Sequence, residues 1–147
     1  MTPAIFYLVR HAEAERGSTF PDVARRLTPE GRSRFGALAA ALAPALRLSL
    51  VLTSPLARGR ETADVLVAAY GGRVEEREAL ASGRCGGAQL LELARSAGPG
   101  VALVGHNPEM AEAVKLASGQ DQKVPPGAVA AVEAGPGGYR LLWVRIP

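Results

Sequence analysis

The chain has 147 residues, of which 48% are hydrophobic and 21% charged, a balance that predicts one folded domain over residues 1–147. Its 17 basic and 14 acidic residues give a formal charge of +3, without the basic stripe and stacking aromatics that nucleic-acid binding needs. The longest apolar stretch, residues 35–46, is well short of the ~20 residues that span a bilayer, and no secretory signal is recognised. We therefore expect a cytoplasmic protein that binds neither nucleic acid nor membrane, and whose mild positive charge favours a phosphate-bearing substrate.

The first predicted strand, residues 5–9, is an apolar run that stops abruptly at Arg10 and His11. Its β-branched and aromatic side chains are typical of a strand buried on both faces. The chain contains two histidines, and the second, His106, also follows an apolar run, residues 101–104. Ligands of open α/β sheets bind at the carboxyl ends of the strands. Both histidines are therefore predicted at the edge of the sheet where chemistry is usually done.

Between the first strand and the first helix, residues 14–27 are polar, contain Gly17 and Ser18, and predict a surface loop. Thr28 and Pro29 then form a helix start, with a capping hydroxyl followed by proline at the first helical position. Four apolar residues recur at helical spacing and predict the buried stripe of this helix. They are Phe35, Leu38, Leu42 and Leu46.

The middle of the chain continues the strand–helix alternation. A strand at residues 48–53 runs into Ser54 and Pro55, which predict a second capped helix ending at Gly71. Ser54 is assigned entirely to this capping role, because the only general bases placed to make it a nucleophile are the two histidines, which are assigned other roles below. The remaining predicted elements are strands at 73–76 and 101–104, a loop at 81–88, and helices at 89–97 and from Asn107-Pro108 to about Ser118.

Two extended runs at the C-terminus, residues 128–133 and 139–146, are separated by a segment rich in glycine and proline and predict a hairpin. Strand and helix alternate four times before it, an order that favours parallel pairing. The predicted fold is an α/β three-layer architecture, with a mostly parallel central sheet, helices on both faces and a C-terminal antiparallel hairpin.

Three motifs follow predicted strands and are expected to meet at one edge of the sheet: Arg10-His11, the passage from Ser54 to Arg58, and residues 105–108. Two of them also open helices, whose N-terminal N–H groups attract anions. Arginines offer fixed bidentate donors, and histidines offer a donor or a nucleophile. The combination predicts a pocket that binds a phosphoryl group and can receive it.

These residues resemble a known family. The Arg-His pair, the Ser-Pro-Leu-x-Arg-x-x-x-Thr-Ala passage and the Gly-His-Asn-Pro turn are together similar to the histidine phosphatase, or phosphoglycerate mutase-like, superfamily. The passage from Asp22 to Thr28, the lack of a long insertion and the terminal hairpin with Trp143 resemble its short branch, the SixA-type phosphohistidine phosphatases. The resemblance extends over nearly the whole chain.

The resemblance implies a catalytic set of four residues, His11, Arg10, Arg58 and His106. His11 would be the nucleophile, and the other three would bind the phosphoryl oxygens. It also implies that neither a metal nor another cofactor is needed. The family signature has glycine after the nucleophile where this chain has Ala12, a small change that is tolerated if the local φ is not positive.

A second departure concerns the proton donor. Longer members that cleave phosphate esters use an acid in the loop beyond the third strand, whereas the loop from Ala81 to Gly87 has no carboxylate. Glu13 is a possible donor or rim residue, and Arg25 is either a rim residue or an ordinary surface arginine. An alkoxide leaving group needs protonation, whereas the imidazole of a phosphohistidine leaves more easily.

The sequence therefore predicts a phosphatase that forms a phosphohistidine on His11 and acts on phosphohistidine in a protein. Its partner would be a phosphorylated protein or a small phosphorylated substrate. Two alternatives stay open. One is a small-molecule phosphomonoesterase of the same superfamily, and the other is a catalytically weak phosphate-binding module.

Overall fold

The computed structural model describes residues 4–16 and 21–147, so the predicted loop residues Gly17 and Ser18 lie outside the described residues. No helix in the described ranges has both the length and the hydropathy needed to cross a bilayer. The strands are β1 (Ala4–Arg10), β2 (Leu50–Thr53), β3 (Arg73–Glu76), β4 (Val101–Gly105), β5 (Val129–Gly135) and β6 (Gly138–Arg145). The α-helices are α1 (Pro29–Leu42), α2 (Ala57–Tyr70), α3 (Gly87–Ala97) and α4 (Glu109–Ser118).

The six strands form one sheet in the order β3-β2-β4-β1-β5-β6. The first four strands of that order are parallel to one another, whereas β5 and β6 are antiparallel and form the C-terminal hairpin. The predicted mostly parallel sheet with an antiparallel hairpin is confirmed. Because β1, β2 and β4 are neighbours and parallel, their carboxyl ends lie side by side, and the segments that follow them meet at one edge.

The core has two layers, one on each face of the sheet. Along β1 the side chains alternate, so that Phe6 and Leu8 pack in the core with α3 and α4, and Tyr7 and Val9 pack in the core with α1 and α2. This period of two is the normal pattern of a strand that is covered on both faces. The three-layer arrangement is confirmed.

One predicted helix start is confirmed and another, with the same type of local signal, is wrong. At α1, the hydroxyl of Thr28 accepts a hydrogen bond from the Gly31 N–H at 2.9 Å, as expected for an N-cap. The predicted start of the next helix at Ser54 is wrong, because the N–H of Ser54 donates to the Val104 carbonyl at 3.0 Å and continues the β2 ladder. Helix α2 begins only at Ala57.

The predicted stripe of α1 needs a smaller correction. The helix ends at Leu42, so Leu46 is buried in the connection that follows it rather than on the helix. Leu38 is only half-buried, and Ala39 takes the buried position beside Phe35. The small side chain of Ala39 leaves room for Tyr70 of α2, whose hydroxyl donates to the Ala39 carbonyl at 2.6 Å.

Candidate active site

A cavity of about 750 Å³ lies at the carboxyl ends of the central strands. The structure brings all six predicted site residues to its wall. It is lined by Arg10, His11, Glu13, Ala14, Arg16, Asp22, Arg25, Thr28, Arg58, Ser82, His106, Asn107 and Pro126.

His11 directly follows β1 and is buried, with 9% of its surface exposed. Its Nδ1 lies 2.7 Å from the Ala12 carbonyl oxygen. A carbonyl can only accept, so Nδ1 carries the proton and Nε2 keeps a free electron pair. Burial, helped by the charges of Arg58 and Arg10, outweighs this hydrogen bond and lowers the pKa of His11 to about 4. At neutral pH the ring is therefore uncharged, with Nε2 available as a nucleophile.

The Ala12 peptide is held from a second direction. Its N–H donates to the Thr62 hydroxyl at 3.0 Å, and that hydroxyl donates to the Arg58 carbonyl at 2.7 Å. Thr62 thus joins the backbone beside the candidate nucleophile to helix α2. No described non-glycine residue has a positive φ, so Ala12 adopts this backbone without strain. Thr62 was not predicted as a site residue, although it lies one helical turn after Arg58 in the same motif.

Arg58 lies in the first turn of α2 and is almost completely buried. Its Nη1 donates to the Asp22 carbonyl at 2.9 Å, and its Nη2 lies 3.2 Å from the Asp22 carboxylate. The same carboxylate accepts from Arg25 Nε at 2.9 Å. Burial acts to raise the pKa of Asp22, but Arg58 and Arg25 outweigh it, and the pKa is below its ordinary value. Asp22 therefore stays ionised and orients two arginines at the cavity wall.

Sequence reasoning missed this role of Asp22. Its signal was weak, because the residue belongs to the loop passage Asp22 to Thr28. No local sequence pattern predicts that this passage lies over the edge of the sheet. The resemblance named that passage without assigning its carboxylate a function.

His106 follows β4 and is 3% exposed. Its ring centroid lies 5.0 Å from that of His11, and its Nε2 lies 2.7 Å from the Ser54 hydroxyl oxygen. Burial foremost, then the neighbouring His11 and Arg58, lowers the pKa of His106 to about 3. The assignment of Ser54 to capping alone is wrong, because its oxygen contacts His106 as well as accepting from the Leu56 N–H at 3.1 Å.

Three buried side-chain nitrogens lack a hydrogen-bond partner among the described residues: Arg10 Nε, Arg58 Nε and His106 Nδ1. All three belong to residues predicted to bind phosphoryl oxygens. Arg10 is oriented by the bond from its Nη1 to the Val124 carbonyl at 3.0 Å. Buried donors are rarely left unpaired, since each costs about 1–3 kcal/mol. The three residues that carry these nitrogens line one cavity, and their two guanidinium groups suit it to an anion with several acceptor oxygens.

Glu13 and Arg25 both line the cavity. Glu13 is exposed, and its Oε1 accepts from the Thr28 hydroxyl at 2.9 Å. Arg25 donates through Nη1 to the Glu15 carbonyl at 2.8 Å, in addition to its contact with Asp22. A proton-donor role for Glu13 stays a prediction. The loop after β3 contributes Ser82 to the cavity wall and no carboxylate.

Comparison with solved structures gives close likenesses over whole chains. A protein assigned as phosphohistidine phosphatase SixA from Agrobacterium tumefaciens is 25% identical, with a TM-score of 0.87 and 100% of both chains covered. The protein histidine phosphatase SixA complexed with tungstate is 21% identical, with a TM-score of 0.82 and 95% of both chains covered. A phosphoserine phosphatase in complex with 3-phosphoglyceric acid, from Entamoeba histolytica, shares the fold at 14% identity, with a TM-score of 0.73 and 97% coverage of both chains.

The sequence itself matches one family. A comparison with curated proteins finds no match. The family model of the histidine phosphatase superfamily, branch 1, matches residues 6–121, a range that includes both histidines, Arg10 and Arg58. The chain therefore belongs to the histidine phosphatase superfamily and is a phosphatase of that family.

Proposed function

We propose that this protein hydrolyses phosphohistidine in other proteins, and that it does so through a phosphohistidine on its own His11 without a metal. The observation that carries the proposal is the set of unpartnered buried nitrogens on Arg10, Arg58 and His106, three residues that line one cavity with a histidine whose Nε2 is free. These groups match the three equatorial oxygens of a phosphoryl group and the atom that attacks it.

In the first step, the electron pair on His11 Nε2 attacks phosphorus. The new P–N bond forms as the P–N bond to the substrate imidazole breaks, and the departing nitrogen takes a proton from solvent in the cavity. Negative charge on the phosphoryl oxygens is met by the guanidinium groups of Arg10 and Arg58 and by His106 Nδ1. Donors fixed in advance cost no reorganisation, and one such donor is typically worth about 10²–10³ in rate.

In the second step, a water molecule attacks the phosphorus of the phosphohistidine. The P–N bond to His11 breaks, inorganic phosphate leaves, and the proton of the water stays with the phosphate or returns to solvent. The pKa of His11, lowered to about 4 by burial, favours the neutral ring that this step regenerates. The hydrogen bond from Nδ1 to the Ala12 carbonyl keeps the ring in one orientation through both steps.

The preference for a phosphohistidine substrate rests on the leaving group. An alkoxide requires an acid at the cavity wall, whereas an imidazole needs little assistance. Asp22 is ionised because of its two arginine neighbours, and Glu13 is engaged with Thr28 at the rim. Ser82, the contribution of the loop after β3, is too weakly acidic for the task. The likeness to SixA proteins supports the same substrate class.

The mechanism is tested by trapping the intermediate. We expect a histidine-phosphorylated peptide with radioactive phosphate to leave acid-labile label on His11 of the wild type after rapid quenching at alkaline pH. His11→Ala should lose label and turnover, by at least about 10³-fold, because the attacking atom is gone. His106→Gln is the control, since it should slow turnover but still give label on His11. Full hydrolysis by His11→Ala would refute the mechanism.

The substrate class needs a separate comparison. We expect kcat/KM for a phosphohistidine peptide to exceed that for an alkyl phosphate of similar size by at least about 10²-fold, since an alkoxide needs a proton that neither the ionised Asp22 nor the weakly acidic Ser82 supplies. Comparable rates would identify a small-molecule phosphomonoesterase, the activity class of the Entamoeba relative. Binding of inorganic phosphate without turnover of either substrate would identify the weak binding module.

A further inference from the structure

Ser54 has a position that helix capping does not explain. The residue is completely buried between the end of β2 and the start of α2. Its hydroxyl oxygen has two neighbours, the Leu56 N–H at 3.1 Å and His106 Nε2 at 2.7 Å. A 2.7 Å separation is that of a well-formed hydrogen bond, and either atom could in principle supply the proton.

The direction of the hydrogen bond between Ser54 and His106 follows from which neighbouring atoms can donate and which can accept. The Leu56 N–H can only donate, so it occupies a lone pair of the Ser54 oxygen and leaves the hydroxyl proton to find an acceptor elsewhere. Among the residues that the structure describes, that acceptor is His106 Nε2. A buried hydroxyl without an acceptor is unfavourable, so Ser54 donates and His106 Nε2 accepts.

The opposite nitrogen of the His106 ring then carries the remaining proton. Burial keeps this ring neutral, and a neutral imidazole has one N–H and one bare nitrogen. With Nε2 accepting from Ser54, the N–H is at Nδ1, the buried nitrogen without a partner in the described part of the chain. In the other tautomer Nδ1 would have no proton, and its lone pair would repel the phosphoryl oxygens.

We propose that Ser54 is a positioning residue, which holds His106 in the tautomer whose Nδ1–H donates to the transferred phosphoryl group. The inference rests on the proposed function for its phosphoryl group, but the tautomer is a property of the free protein. Ser54 touches no reacting atom and acts only through His106. This role explains why the motif has a hydroxyl at a position where the chain is still part of the β2 ladder.

Nitrogen NMR of the uniformly labelled protein tests the tautomer directly. The chain has two histidines, so the spectrum of His11→Ala assigns all four ring nitrogens. We expect His106 to show a protonated Nδ1 and a bare Nε2 at pH 7, and inorganic phosphate to shift the Nδ1 signal. A protonated Nε2 in the wild type would overturn the proposal, whatever the enzyme's activity.

The variant Ser54→Ala tests the causal role. We expect most of its His106 to move to the tautomer protonated at Nε2, and kcat/KM for an aryl phosphate to fall by about tenfold, because only about a tenth of the population still presents the Nδ1 donor. Thr53→Val is the matched control. It also removes a completely buried hydroxyl, one that donates to the Ser54 carbonyl at 3.0 Å, and it should keep the wild-type tautomer and kcat/KM within about twofold.

The outcomes separate the two levels of inference. A single wild-type tautomer in Ser54→Ala, or an unchanged kcat/KM, would overturn the role of Ser54 while leaving the proposed function intact. If wild-type protein turned over no phosphate compound, the proposed function would fail, and a loss of tautomer preference in Ser54→Ala would still establish the positioning role. Should Ser54→Ala fail to fold, the wild-type spectrum alone decides the tautomer.

Discussion

Asp22 illustrates how a single carboxylate can tune an anion site without touching the reacting atoms. It accepts from two arginines, one almost buried and one at the rim, and its negative charge offsets part of their attraction for phosphate. The carboxylate lowers the affinity of the site for an anion but fixes the orientation of Arg58. Both terminal nitrogens of Arg58 contact Asp22, while its Nε stays unpartnered among the described residues. A site that must release inorganic phosphate after every cycle benefits from that balance.

The variant Asp22→Asn separates orientation from charge. We expect inorganic phosphate to inhibit several-fold more strongly, because one negative charge near the anion is removed. We expect kcat to fall several-fold, because the charged carboxylate that orients Arg58 Nη2 becomes a neutral amide while the backbone carbonyl bond to Nη1 stays. Steady-state kinetics with phosphate as product inhibitor measures both. Asp64→Asn is the control, an equal charge change at an exposed position of α2. Weaker phosphate inhibition in Asp22→Asn would contradict this account.

The residues that could be predicted are those with a strong local signal. Apolar runs in the sequence end at Arg10, His11 and His106. Parallel pairing of those strands then places the three residues together at one edge of the sheet. Ser54 could not be interpreted in the same way. Its contacts with Val104 and His106 cross about fifty residues of chain, and a helix-start pattern contains no information about them. At Ser54 the pairing of β2 with β4 overrides the local preference for a helix start.

At the scale of the elements, helices α3 and α4 are in close backbone contact. Helix α3 begins at Gly87, where an added Cβ would come within 2.6 Å of the Ala113 backbone nitrogen and 2.7 Å of the Glu112 carbonyl carbon. The Gly87 N–H also donates to the Glu112 carboxylate at 3.0 Å. The start of α3 therefore rests directly on the backbone of α4, which follows β4 and His106.

Two glycine substitutions should move stability in opposite directions. Gly87→Ala is expected to lower the free energy of unfolding by about 1–3 kcal/mol, because backbone atoms of α4 cannot yield without a helix shift. Gly36→Ala, inside α1, meets its nearest atom at 3.8 Å and should raise it by about 0.5–1 kcal/mol through helix propensity. Urea unfolding measures both. Equal effects would show that the α3–α4 contact is looser than described.

At the scale of the whole molecule, the buried site makes the free energy of unfolding depend on pH. Both histidines are buried beside arginines, and their pKa values are lowered by burial first, to about 4 for His11 and about 3 for His106. In the unfolded chain both return to about 6.5. Below that pH the unfolded state binds more protons than the folded state, so acid shifts the equilibrium toward unfolding. Asp22, whose pKa is lowered by its arginines against the effect of burial, acts in the same direction.

The window of this effect follows from the two values. The contribution of His11 is fully present above pH 6.5, declines as the pH falls, and is lost by about pH 4, where the folded state also becomes protonated. At roughly 1.4 kcal/mol for each unit of pKa difference, it amounts to something on the order of 3 kcal/mol. His106 extends the decline to about pH 3. Carboxylates titrate in the lower part of this range as well, so the histidine share must be isolated by comparison.

Comparing wild type with His11→Ala isolates that share. We expect the free energy of unfolding of the wild type to fall between pH 6.5 and pH 4 more steeply than that of His11→Ala, by up to about 3 kcal/mol over the window, because only the wild type carries the buried imidazole of His11. Glu30→Gln, an exposed change in the first turn of α1, serves as a control for general titration and should keep the wild-type slope above pH 5. Urea midpoints at half-unit pH steps give the curves.

Parallel curves for wild type and His11→Ala would contradict this prediction. They would mean that His11 is as easily protonated in the folded protein as in water, so that burial does not keep its ring neutral.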